Sequence, residues 1–268
     1  MIIPYETDFF PPTRNIIEVL GRKIFLTLRG AGRALKMLFQ AHLYIAVFFK
    51  SRDEIRRQML LAGIQSFAIT SIVGLFTGMI LALQTGLLLR DYGQEAQIGN
   101  LVAQTLCREM GPFMTSLILA ASVGSAITAQ IGTMAVSEEL AALEVMSINP
   151  VRFLVMPRLI ALMLMCPILT IYTNVIGTVG GGIVASNQID VPWGIYFDSA
   201  LRYLKNKDIM VGIFKSYVFG VLIVTISCYK GMATTGGAAG VGNATRSSVI
   251  TSFLMILLVG YFITRMFY

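Results

Sequence analysis

Residues 58–89 read QMLLAGIQSFAITSIVGLFTGMILALQTGLLL, and none of them is charged. A helix needs about 20 consecutive apolar residues to cross a bilayer, so this stretch can span one with length to spare. Four comparable stretches follow: Ala96 to about Thr133, interrupted by Arg108-Glu109 and by Gly111-Pro112; Leu159–Ile189; Ile209–Tyr229, which holds Lys215; and Ser247–Thr264, the shortest. The composition agrees, with 56% hydrophobic and 13% charged residues among 268 and a mean hydropathy of +0.74. A soluble domain this apolar could not cover its own surface. The 25 glycines suit helices that approach one another closely in lipid. The expected fold is an all-α integral membrane protein with five transmembrane helices. It forms one domain over 1–268, with a tail at 1–13, interfacial and connecting helices at 14–59 and a transmembrane region at 60–268.

Working outward toward the N-terminus, Arg14 to about Phe49 reads as an amphipathic helix. At 100° per residue Arg22, Arg29, Arg33 and Lys36 fall on one stripe, and Ile17, Leu20, Ile24, Leu28, Ala31, Leu35 and Leu38 on the other. That division predicts a helix lying in the membrane interface. Arg52 to Arg57 then forms a charged hinge. The opening Met1-Ile2-Ile3-Pro4 does not read as a signal peptide.

The charges orient the spans. With the N-terminus inside, the inner segments hold fourteen Lys and Arg residues and the outer ones five, which favours a cytoplasmic N-terminus and an outer C-terminus. Ten of the 21 basic residues precede Leu60, so the net charge of +7 points to an anionic lipid surface and away from nucleic acid. The loop around 187–208, with Trp193, Tyr196, Phe197 and Tyr203, then faces outward at the aromatic belt. Cys107, Cys166 and Cys228 lie far apart in apolar runs, and His42 is the one histidine. No metal site or disulfide frame is expected.

Ser137-Glu138-Glu139-Leu140-Ala141-Ala142-Leu143-Glu144-Val145-Met146-Ser147-Ile148-Asn149-Pro150 is a short acidic segment between two apolar runs. Leu140, Leu143 and Ser147 share a helical face. Ser137 is placed to cap the helix, Glu138 and Glu139 suit its positive end, and Asn149 before proline ends it. The segment is either a solvated loop or a helix offered to something outside the membrane.

Charge inside the spans is rare and costly, so Arg108, Glu109 and Lys215 stand out. They form either a structural ion pair that locks helices or a polar patch in a cavity that meets an ionic headgroup. Gln84, Gln104 and Gln130 read as hydrogen-bond partners between helices, Ala120 to Ala126 as a close helix contact, and Gly180-Gly181-Gly182 as a kink or a contact. Gly236 to Arg246 superficially resembles a phosphate loop but lacks the Gly-Lys-Ser/Thr ending, and reads as a tight turn before the last span. No nucleophile, base or metal set for catalysis stands out.

Several stretches occur in the order found in one family. They are Thr105-Leu106-Cys107-Arg108-Glu109-Met110-Gly111-Pro112, the small residues through Ala129, Gln130-Ile131-Gly132-Thr133-Met134, and Glu138 to Met146. Asn149-Pro150, Pro157-Arg158 and Gly236 to Arg246 follow. Over roughly residues 20–268 the chain resembles the MlaE (YrbE) permeases. The resemblance implies the membrane subunit of an ABC transporter in the bacterial inner membrane, with its N-terminus cytoplasmic and its C-terminus periplasmic. It implies a homodimer with cytoplasmic ATPase subunits that carry the ATP and magnesium, so this chain itself holds no cofactor and is not an enzyme. An MCE-domain protein on the periplasmic side, a small STAS-domain subunit and phospholipid complete the implied partners. A coupling helix between spans two and three carries over onto Glu138, Glu139, Leu140, Leu143, Glu144 and Met146. A lipid cavity carries over onto Leu81, Leu88, Tyr92, Arg108, Glu109 and Lys215. Two departures stand out: Val259 occupies a place where some relatives have an acid, and Glu139-Leu140-Ala141 replaces the usual Gln-Ile-Asp. The rival readings are a secondary transporter, which would need an inverted repeat and midplane ion ligands, and an intramembrane lipid-modifying enzyme, which would need a catalytic pair.

Overall fold

Five helices long and apolar enough to cross a membrane run through the described part of the computed structural model, residues 16–44 and 52–268. Every regular element among these residues is helical. In chain order they are α1 (Ile16–Leu43), α2 (Arg52–Arg90), α3 (Glu95–Val136), α4 (Glu139–Val145), α5 (Val151–Gln188), α6 (Trp193–Tyr203), α7 (Asn206–Met232) and α8 (Gly237–Phe267). The five spans are α2, α3, α5, α7 and α8. The tail at 1–13 and the stretch 45–51 lie outside the described residues.

Small residues set the tightest contact. On α2 the buried positions Ala62, Ser66, Thr70, Gly74, Gly78, Ala82 and Gly86 recur every fourth residue and face α5. A methyl group on Gly78 would come within 1.8 Å of the Gly177 carbonyl oxygen, so the backbones touch there. Without a hydrophobic force between helices in lipid, such proximity is the main source of packing energy. The opposite face of α2, including Ile64, Ile72, Phe76 and Ile80, is exposed. Gly180, Gly181 and Gly182 are likewise contacts, against Leu75, Tyr196 and Trp193, and α5 runs through them as a helix.

The main core fills the space between α3, α5, α7 and α8 with Leu119, Ile131, Leu159, Phe219, Ile223 and Ile256. A second cluster, Ile98, Val102, Leu106, Val184 and Tyr196, sits at the α6 end. There the expected outer loop is a helix. Tyr196 is fully buried rather than at a membrane belt, donates to the Thr178 carbonyl (3.1 Å), and has its phenol pKa pushed upward by burial. Trp193 and Tyr203 remain exposed.

Several local expectations change. The charged hinge is the first turn of α2, where Asp53 and Glu54 meet the positive helix end. The last span is a 31-residue helix beginning at Gly237. Of the Gly236-to-Arg246 run only Gly236 (φ +86) and Gly237 (φ +68) take a left-handed turn conformation, and Gly240 packs on the Thr235 carbonyl as part of α8. Ser137 does not cap α4: its amide and hydroxyl both donate to the Thr133 carbonyl, closing α3, and Glu138 at φ +60 turns the chain. Asn149 starts α5 rather than merely ending α4. Its side-chain oxygen accepts from the Val151 amide (2.9 Å), with Pro150 in the first turn where no amide is needed. Of the α1 stripes, Arg29, Arg33 and Lys36 are exposed, and so are the apolar Leu28 and Leu35; Met37 and Ala41 are the buried contacts.

Candidate functional site

Proline creates the site. Pro112 has no amide to return to the Arg108 carbonyl four residues back, and α3 widens into a π-turn over Leu106–Met110. The freed carbonyl accepts from the Lys215 ammonium at 2.9 Å. The same ammonium donates to Glu109 Oε1 (2.6 Å) and to Thr264 Oγ1 (2.7 Å). Lys215 is therefore saturated, with all three protons assigned to helices α3 and α8.

Arg108 turns the other way. Its guanidinium grips Asp208, in the first turn of α7, with Nε to Oδ1 at 2.7 Å and Nη2 to Oδ2 at 3.1 Å. The Tyr268 hydroxyl also donates to Asp208, and the Tyr268 ring lies 4.8 Å from the guanidinium carbon. Two ion pairs thus tie α3 to α7, and α8 closes the cluster through Thr264 and Tyr268. In each pair one partner is sunk and one is open: the side chains of Asp208 and Lys215 are 1% exposed, those of Arg108 and Glu109 32% and 41%. The open pair can meet a polar ligand without breaking the buried half. The formal charges cancel, so the cluster suits a zwitterionic or mixed-polarity group as well as an anion.

The structure brings Arg108, Glu109 and Lys215 together. It does not pair Arg108 with Glu109, neighbours in sequence whose side chains take different partners. Asp208, Thr264 and Tyr268 were not anticipated. A signal existed for Asp208, which precedes Lys215 by seven residues and so shares its helical face. Val259 is half-buried in the core, and Thr264, further along α8, supplies the polar contact to Lys215. Leu81 is half-buried against the second cluster, whereas Leu88 and Tyr92 are exposed, all three outside the polar network. The level of the network also differs from its sequence depth. Arg108 lies well inside α3, yet it meets the first turn of α7 and the last turns of α8, so the network sits at the α6 end of those two spans.

At the opposite end, α4 presents two faces. Leu140 is buried and Leu143 packs against the main core. Glu138, Glu139, Glu144, Val145 and Met146 are exposed, Val145 by 85%. Ser147, at φ +60, lies past the helix end and is not on the Leu140–Leu143 face. Beneath α4, the buried Arg158 donates to the Leu154 carbonyl (2.7 Å) and to Gln130 Oε1 (2.9 Å), so Gln130 does link helices. Gln104 links α3 to the Tyr203 carbonyl (3.3 Å). Gln84 is exposed.

Comparison with known proteins places this geometry. Residues 55–266, which include all five spans but the outermost turns, match the family model described as Permease MlaE. A probable ABC transporter permease protein of Rickettsia conorii is 35% identical over 261 residues, covering 95% of this chain and 98% of the relative. A probable ABC transporter permease protein of Synechocystis is 36% identical over 249 residues, covering 88% and 94%. The intermembrane phospholipid transport system permease protein MlaE of Haemophilus influenzae is 33% identical over 255 residues, covering 95% and 98%. With matches over nearly the whole chain and five apolar helices, this multi-pass membrane protein belongs to the MlaE permease family.

Proposed function

We propose that this chain is the permease subunit of an ATP-driven ABC transporter that moves phospholipid, or a related lipid, between the inner membrane and a periplasmic MCE-domain protein. The observation that carries this reading is the half-open charge network at the α6 end. Arg108 and Glu109 stay accessible while buried Asp208 and Lys215 hold them, a polar receptor at the end of an otherwise apolar bundle. The phospholipid transport named for the Haemophilus relative supports the choice of ligand.

The chain works as a homodimer. Its least buried spans are α2 and α8, whose exposed apolar faces need a second copy or lipid to cover them. Between the two halves Leu81, Leu88 and Tyr92 meet acyl chains, and Arg108 and Glu109 meet the headgroup while the buried Lys215 holds Glu109 in place. The N-terminus and α4 are cytoplasmic, in line with the balance of basic residues, α1 lies in the interface, and the network faces the periplasm. On the cytoplasmic side α4 docks on an ATPase subunit, which holds ATP and magnesium, with a small STAS-domain subunit attached. Val145 and Met146 are the apolar anchors of that contact and Glu138, Glu139 and Glu144 its charged rim. Leu140 and Leu143 serve the fold and transmit force to α3 and α5.

The test is reconstitution of the complex in vesicles with a fluorescent phospholipid and an acceptor MCE-domain protein. ATP-dependent transfer is expected, and a chain carrying Arg108→Leu with Asp208→Leu, which removes the whole ion pair, should assemble yet transfer little. ATP-independent transfer, or transfer undiminished in that variant, would overturn the reading.

A further inference from the structure

A second lipid-shaped feature lies on the outer wall of the bundle. It is a groove of about 780 Å³ between α5 and α7, within the size range of ligand sites. Met163, Leu164 and Ile168 form one wall and Met210, Phe214 and Tyr217 the other. At its α6 end stands Lys207, the second residue of α7. We infer that this groove holds one resident phospholipid with an anionic headgroup, its phosphate at Lys207 and an acyl chain running down toward Tyr217.

Three observations favour that occupant. The first is the shape of the walls. A transmembrane helix docks closely where small residues let backbones approach, as along the Gly74–Gly78 stripe of α2. These groove walls carry long or aromatic side chains instead, which leave a slot suited to a flexible chain. The second is charge placement. The groove is apolar along its length and has a cation at one end, the polarity of a phospholipid with a negative head. The third is that Lys207 is held. Its ammonium donates to the Phe267 carbonyl (2.6 Å) and lies 4.8 Å from the centre of the Tyr268 ring, which leaves protons free for a phosphate oxygen.

The same ring links the groove to the network. Tyr268 lies 4.8 Å from the Arg108 guanidinium carbon as well, and its hydroxyl donates to Asp208. A headgroup drawing Lys207 away from the ring changes the packing on Arg108. Occupancy of the groove is thereby coupled to the network. The site does not depend on the transport reading, since it requires only that the chain sits in a bilayer.

The test uses tryptophan quenching by brominated lipids. Trp193, the one native tryptophan, is replaced by phenylalanine, and a reporter is placed by Leu164→Trp in the groove or by Val175→Trp elsewhere on the exposed side of α5. The full chain is reconstituted in phosphatidylcholine vesicles containing phosphatidylglycerol or phosphatidylcholine with brominated acyl chains. The groove reporter should prefer brominated phosphatidylglycerol by about fivefold, the preference expected of one lysine near an anionic lipid. The Val175→Trp reporter should show no preference. Lys207→Ala should erase the preference while leaving quenching intact, and Lys207→Arg should retain it. Equal quenching by both lipids at Leu164→Trp, or a preference that survives Lys207→Ala, would overturn the site. So would an unquenched groove reporter, the result if a transmembrane helix of a partner fills the slot.

Discussion

Lys215 donates to the main-chain carbonyl of Arg108, the one acceptor in α3 that Pro112 leaves without its helical amide. The bond makes Lys215 part of the backbone of α3 as well as an ion partner of Glu109. Lys215→Met strands both acceptors at once, and Glu109 at 41% exposure recovers part of its hydration. Loss of about 1–3 kcal/mol of stability is expected. Lys215→Met with Glu109→Gln should recover part of that loss but not all, because the Arg108 carbonyl stays unserved. Thermal unfolding of the purified chain in detergent measures both.

Arg108 and Glu109 answer to different partners, so changing them together compounds the damage. Arg108→Leu with Glu109→Leu strands Asp208 and Lys215, both deeply buried. Removing one side of such a pair costs about 3–5 kcal/mol. Arg108→Leu with Asp208→Leu removes a whole pair and should assemble far better. A double-mutant cycle on yield and melting temperature separates the two; equal behaviour would refute the observed pairing.

On α4 the burial pattern separates folding from docking. Val145→Arg changes an exposed side chain and should shift stability by no more than about 0.5 kcal/mol. It should nevertheless abolish co-purification of the ATPase subunit. Leu143→Arg drives a charge against the core and should lower the yield of the folded chain itself. Size-exclusion profiles with and without the ATPase distinguish the outcomes.

Gly78→Ala places a methyl against the Gly177 carbonyl, with no flexible side chain to yield. Overpacking of about 1–3 kcal/mol is expected, read as a drop in melting temperature. Gly242→Ala on α8 meets nothing within 4 Å and should be neutral or stabilising by up to about 1 kcal/mol.

Orientation is checked with impermeant maleimide on whole cells. The native cysteines are buried, so Asn187→Cys and Glu144→Cys supply the only accessible thiols among the described residues. Asn187→Cys should label from outside and Glu144→Cys only after the membrane is opened. The reverse pattern would place α4 on the wrong side for an ATPase.

The sequence by itself determined the number and rough position of the spans, and that Arg108, Glu109 and Lys215 lie within them. Lipid imposes its demand on each segment separately: about 20 apolar residues with their backbone satisfied internally. That demand is written locally, in 58–89 as in the other four runs, and an Arg, a Glu or a Lys inside such a run announces itself. Tertiary structure alone decided what those charges do. Asp208 lies 100 residues from Arg108 and Thr264 lies 155 from Glu109, and no local pattern connects them. The same holds for which face of α4 is turned inward, for the true length of α8, and for the level of the network, which follows from where α7 begins and α8 ends beside α3. Each depends on which helices lie side by side, and close packing of distant segments settles that.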